Sequence, residues 1–189
     1  MIHLGIAHGD ECVQLLIPIT ENFPALLAQP DFLKLSQTEA VMKQLMTLMD
    51  CLIGVMQGAR PSTAELLFSA VYPSLTRTVD LLSVYENHFL VVDLILELLN
   101  EMAISMLCHL DRLQARLFYE LAIRGIQLYA GHNLRTLVRD QTENEEESYK
   151  GVLLIIHLLT NILAKEIVCD FASAGKNDSF SNLIPSYPL

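Results

Sequence analysis

Phe89 to Leu110 reads FLVVDLILELLNEMAISMLCHL and is the most membrane-like stretch of the chain. A run of that length could cross a bilayer or form one helix of a soluble fold. Asp93, Glu97, Asn100 and Glu101 decide between the two, because spacings of 3 and 4 put them on one side of a helix. A bilayer would penalise each central carboxylate by about 2.5 kcal/mol or more. Water on that side costs nothing. The stretch therefore reads as an amphipathic helix in a soluble protein, with Leu90, Leu94, Ile95, Leu98, Met102 and Met106 toward the core. The later run Val152 to Leu159 is too short to span, and His157, Thr160 and Asn161 break it.

The same period of 3 to 4 runs outward in both directions, with no convincing strand. Upstream, a helix is expected from about Asp10 to Ala28, kinked or split at Pro18 and Pro24, and broken at Gln29-Pro30-Asp31. A second begins near Ser36 or Thr38 and stops at Gln57, before Gly58 and Pro61. A third, capped by Ser62 or Thr63, reaches about Tyr85 with a kink at Pro73. The quoted stretch is the fourth, from about Asn87 to Cys108. A fifth runs from its cap Asp111 to Gly131, and its Arg116, Glu120 and Arg124 can pair. A sixth follows the capping box of Thr142 and Glu145, with Tyr149, Leu153, Ile156, Leu159, Leu163 and Ile167 on its apolar side.

Six helices in order make three antiparallel hairpins, at about 10–57, 62–109 and 111–169. The repeat of roughly 50 residues is close to that of HEAT and armadillo units. Pro18 and Pro73 each sit mid-helix in a first arm, followed by Leu26-Leu27 and Leu81-Leu82. The expected fold is all-α, an α-solenoid of about three HEAT/armadillo-like hairpins over residues 1–171. A closed six-helix globule is the alternative. Residues 172–189, with Ser173 to Ser179 loop-like and Pro185 and Pro188 near the end, are expected to form a flexible tail. Neither end carries the polar cap that a stacked array needs, which suggests a piece of a longer one.

Of 189 residues, 22 are acidic and 12 basic, for a net charge of −10. That balance disfavours nucleic acid, which requires a basic face. A hydrophobic content of 52% excludes a disordered chain. Cys12, Cys51, Cys108 and Cys169 form no CxxC pair and read as buried small hydrophobes in a reducing compartment. The segment Met1 to Asp10 lacks the form of a signal peptide.

Chemistry is sparse. No phosphate-cradling glycine loop, nucleophile elbow or zinc-protease motif is present, so no catalytic, cofactor-binding or metal residue is nominated. His3 and His8 have the wrong spacing for one helix face, and the neighbours Cys108 and His109 point about 100° apart on a helix. His157 reads as buried and hydrogen-bonded or as solvent-facing. Asp93 and Glu97 read as a solvated face rather than a catalytic pair. Glu143, Glu145, Glu146 and Glu147 suit a helix N-terminus, or a dock for a basic partner. Met42, Met46, Met49 and Met56 read as core, or as an adaptable groove. Gly54, Gly125 and Gly151 inside helices point to close helix contacts.

Residues Val152 to Glu166, above all Leu158-Leu159-Thr160-Asn161 with Leu163 and Lys165-Glu166, resemble a segment of the importin-β (karyopherin) superfamily of nuclear transport receptors. Leu117-Phe118-Tyr119-Glu120, Leu128-Tyr129, Asn133-Leu134 and the span Leu82 to Ala103 extend the likeness. Residues 10–78 match more loosely, through Gln29-Pro30-Asp31-Phe32 and Phe68-Ser69, and the likeness ends after Phe171. The resemblance implies a fragment from the C-terminal half of a long HEAT-repeat exportin. Such a receptor shuttles between nucleus and cytoplasm, contacts nuclear pore proteins, and exports protein cargo in a manner governed by Ran bound to GTP. The cargo implied is translation initiation factor 5A and a Smad protein. It implies no enzyme activity, cofactor, nucleic-acid partner or membrane insertion. The competing readings are a HEAT-repeat scaffold or regulatory subunit outside transport, and a small helical enzyme.

Overall fold

A computed structural model describes residues 16, 20–29, 31–137 and 145–177; at 132–137, 145–148 and 166–177 it is the backbone that is described. The described chain is all-α. Residues 20–27 form α1, followed by α2 (Phe32–Leu35), α3 (Glu39–Gln57), α4 (Ala64–Asp80), α5 (Phe89–Ser105), α6 (Arg112–Leu137) and α7 (Glu145–Asn177). Single 3₁₀ turns follow α4 (Leu81–Ser83) and α5 (Leu107–His109).

The helix boundaries follow from local chemistry. Asp111 Oδ1 accepts the Gln114 N–H at 2.7 Å and so caps α6. Thr63 stands at the start of α4, but its hydroxyl closes the preceding turn with Arg60 instead of capping forward. Helix α4 continues through Pro73 and stops at Asp80, five residues before Tyr85. Tyr85 explains the early stop. Its ring is fully buried and its hydroxyl donates to Ser36 O at 2.8 Å. Gln37 Nε2 donates to Val84 O at 3.2 Å, and the His88 ring meets Gln37 Oε1. The α4–α5 connection is thus bolted to the α2–α3 turn. The sequence reading gave no sign of α2, a single turn whose Phe32 is buried.

The helices pack alternately. Helix α5 lies between α3 and α7, its two most extensive neighbours, while α4 packs on α6. Gln114 Nε2 ties α6 to α4 through Glu65 O (2.9 Å) and Ser69 Oγ (2.8 Å). Arg124 leaves Glu120 to Arg116 (2.9 Å) and pairs with Asp80 at 2.7 Å. A single core joins Leu45, Met49, Phe68, Leu75, Ile95 and Phe118.

Three expectations need correction. Leu90 was expected in the core and is 72% exposed. Asp93 and Asn100 were expected in water and are buried. The outward row of α7 was expected inward: Tyr149, Leu153, Ile156, Leu159 and Leu163 are exposed, and Gly151 and Leu158 are the buried positions. In addition, α6 continues past Gly131, and α7 runs to Asn177 through Ser173–Lys176, inside the stretch expected to be a tail. Cys51 is exposed and Cys108 half-buried, so neither is a buried small hydrophobe. Pro18, Cys12, His3, His8, Thr142 and Glu143, and the side chains of Glu145 to Glu147, Ile167 and Cys169, lie outside the described residues.

The glycines separate by environment. A Cβ at Gly151 would fall 2.5 Å from the Tyr129 hydroxyl, and one at Gly125 would fall 3.0 Å from Leu99 Cδ1. A Cβ at Gly54 would meet nothing within 4 Å. Gly54→Ala is therefore expected to raise stability by up to about 1 kcal/mol. Gly151→Ala is expected to lower it by about 1–3 kcal/mol through overpacking. Thermal melting of the two variants checks both signs.

Candidate functional site

Helix α5 touches solvent along one narrow strip, formed by Leu90, Leu94, Glu97, Glu101 and Ile104. Asp93 and Asn100 project from a neighbouring side, into the contact with α7. A buried carboxylate is costly unless a cation and hydrogen bonds compensate it. Lys150, in the first turns of α7, supplies the cation: its Nζ lies 3.0 Å from Asp93 Oδ2 and 3.2 Å from Glu97 Oε1. One turn farther along α5, Asn100 Nδ2 donates to Leu154 O of α7 at 2.9 Å and to Leu96 O at 3.1 Å. Asn161 Nδ2 donates to Asn100 Oδ1 at 3.2 Å. These bonds form a polar seam that fixes the register of α7 on α5.

Tyr129 of α6 completes the seam. Its ring packs against Gly151, where only a residue without a side chain admits it. Burial, and then the negative charge of Asp93, push its phenol above the usual range. The hydrogen bond to Asp93 is the main reason that Lys150 is held above the usual lysine value; burial opposes this, and Glu97 adds to it. Tyr85 is raised by burial, against the smaller effect of its bond to Ser36.

Helix α7 is apolar on two opposite sides. Val152, Ile155, Leu158 and Ile162 pack inward. Tyr149, Leu153, Ile156 and Leu163 point outward, with Leu159 beside them. Tyr149, Leu153, Ile156, Thr160 and Leu163 follow one another at intervals of 4, 3, 4 and 3, the spacing of a seam that another helix packs against. His157 is exposed beside this row. The four methionines on α3 divide: Met49 and Met56 are fully buried, while Met42 and Met46 are half-buried.

Cys108 and His109 sit in the 3₁₀ turn after α5, half-buried and exposed respectively. Among the described residues, no group of histidine, cysteine and acidic side chains could hold a metal ion. No helix among them is long and apolar enough to cross a membrane. No protein-family profile matches the chain, and no solved structure matches it.

The three raised groups give one pH expectation. A folded pKa above the unfolded one contributes stability that is complete below the unfolded value and is lost as pH rises through the folded value. Lys150, Tyr129 and Tyr85 all act in this direction. Chemical-denaturation midpoints are expected to fall as pH climbs past about 10. Lys150→Met is expected to weaken the dependence, because one of the three titrations is then absent.

Proposed function

We propose that this chain is a segment of a nuclear transport receptor of the importin-β superfamily, most similar to exportin-4, and that it acts by binding proteins rather than by catalysis. The observation that carries the reading is the outward row of α7. A helix already seated on α5 presents a second apolar seam, at the spacing that a following helix would cover. Stacked arrays have this property, since each unit buries one flank of its neighbour.

The alternate packing also supports the reading. Antiparallel hairpins laid side by side bring every second helix together, and here α3, α5 and α7 adjoin in order while α4 adjoins α6. The HEAT-like units would be the three hairpins expected from the sequence, at about 10–57, 62–109 and 111–169. The likeness over residues 82–103 and 117–166 supplies the transport assignment.

The mechanism is mechanical. Small interfaces between units let an array change curvature, and cargo and Ran bound to GTP prefer one curvature over another. The cargo would be protein, translation initiation factor 5A and a Smad protein among it. The receptor would shuttle between nucleus and cytoplasm past nuclear pore proteins. The full reading frame, immobilised, is expected to retain Ran loaded with a non-hydrolysable GTP analogue at least tenfold over Ran with GDP, about 1.4 kcal/mol of discrimination. Equal retention, or none, removes the transport role and leaves a scaffold or regulatory subunit.

A further inference from the structure

The exposed apolar side chains of α7 are spaced symmetrically. Tyr149, Leu153, Ile156, Leu159 and Leu163 lie at offsets of −7, −3, 0, +3 and +7 from Ile156. On a helix these five offsets fall on one face about 120° wide, centred on Ile156 and roughly 21 Å long. The buried Gly151 and Leu158 are on the opposite side. The pattern reads the same from either end of the helix. Laid antiparallel on a copy of itself, with the two Ile156 side chains facing each other, it sets Tyr149 against Leu163 and Leu153 against Leu159. Such self-complementarity is what a two-fold interface requires.

Charge points the same way. The chain carries −10, which keeps copies apart over most of its surface. Lys150 is the one charged residue in the sequence from 149 to 164, and its ammonium pairs with Asp93 and Glu97 of α5. Two copies therefore meet along this face without like-charge repulsion. Thr160, exposed beside the row, already donates its hydroxyl to Ile156 O at 2.8 Å, so covering it strands no donor. The five side chains, each about half exposed, present on the order of 500 Å² per copy. A pair then covers roughly 1,000 Å², at the small end of specific interfaces.

We propose that a second copy of this chain covers the row, with the two α7 helices antiparallel and crossing at Ile156. A parallel pair would set Tyr149 on Tyr149 and leave Leu159 to one side; the antiparallel pair uses all five side chains. His157 lies about 100° round the helix from Ile156, at the edge of the face, where its ring keeps contact with water. The inference names the covering helix that the array reading leaves open, so that two arrays join through α7. Its chemistry requires neither Ran nor cargo.

Sedimentation equilibrium of the whole chain tests this. The expected result is twice the 21.2 kDa of one copy, with a dissociation constant on the order of 1–10 μM. Ile156→Lys places two like charges on the axis at a half-exposed position, and is expected to weaken pairing about a hundredfold or more. Leu113→Ser, at an exposed residue of α6, is expected to leave pairing unchanged. Circular dichroism melts confirm that the variants fold. Oxidative cross-linking reads the direction without relying on Ile156→Lys. Tyr149→Cys mixed with Leu163→Cys is expected to couple about tenfold faster than either variant alone, with the unaltered chain as control for the exposed Cys51. A monomer at about 100 μM, a dimer that persists in Ile156→Lys, or faster coupling of either cysteine variant with itself overturns the proposal. A monomer leaves the Ran retention test standing, and loss of Ran retention leaves the dimer standing, so the two readings fail separately.

Discussion

The carboxylate of Asp93 sits in the interior of an all-helical fold, and the placement of α7 follows from how that charge is compensated. Helix α5 has neighbours on every side but one. A charge on a buried side would normally be excluded or neutralised. Lys150 resolves this from α7, at 3.0 Å. Once that ion pair is fixed, Gly151 must face Tyr129, Leu154 O falls to Asn100, and Asn161 reaches the same amide. The register so defined turns Leu158 inward and leaves Tyr149, Leu153, Ile156 and Leu163 outward. The polar seam thus chooses which of two apolar sides α7 buries.

That choice also marks where sequence reasoning stopped. The all-helical class was legible, because apolar residues recur at 3 and 4 throughout and turn residues such as Gly58 and Pro61 separate the runs. The start of α3 after Thr38 and the Asp111 cap were legible for the same local reasons. The orientation of α7 was not. Its sequence carries two apolar rows on opposite sides, and periodicity alone cannot say which one has a partner. Asp93 and Asn100 were misplaced because polarity predicts solvent until a partner is known, and Lys150 lies 57 positions away in sequence. The early end of α4 depended on the Tyr85–Ser36 bond, a contact between residues 49 apart. The methionine series on α3 was read as core or as an adaptable groove, and it divides, with Met49 and Met56 buried and Met42 and Met46 half-buried.

Two surfaces with different chemistry result. The outward row of α7 is apolar and regularly spaced, suited to permanent coverage by another helix. The surface between α3 and α5 is mixed, with half-buried Met42 and Met46 beside the carboxylates of Glu39 and Asp50. Helix α5 adjoins both α3 and α7, so the two surfaces flank the same helix. The proposed transport role uses the first to extend the array.

The most direct measurement is a double-mutant cycle on the seam, with urea denaturation of the parent, Lys150→Met, Asp93→Asn and the double variant. If Lys150 compensates a buried Asp93, Lys150→Met alone is expected to cost about 2–3 kcal/mol, discounted for its half-exposed ammonium. Adding Asp93→Asn is expected to recover part of that loss, with a coupling of about 1–2 kcal/mol. Effects that add to within about 0.5 kcal/mol would contradict it, because the two side chains would then be independent and α7 would owe its register to something else.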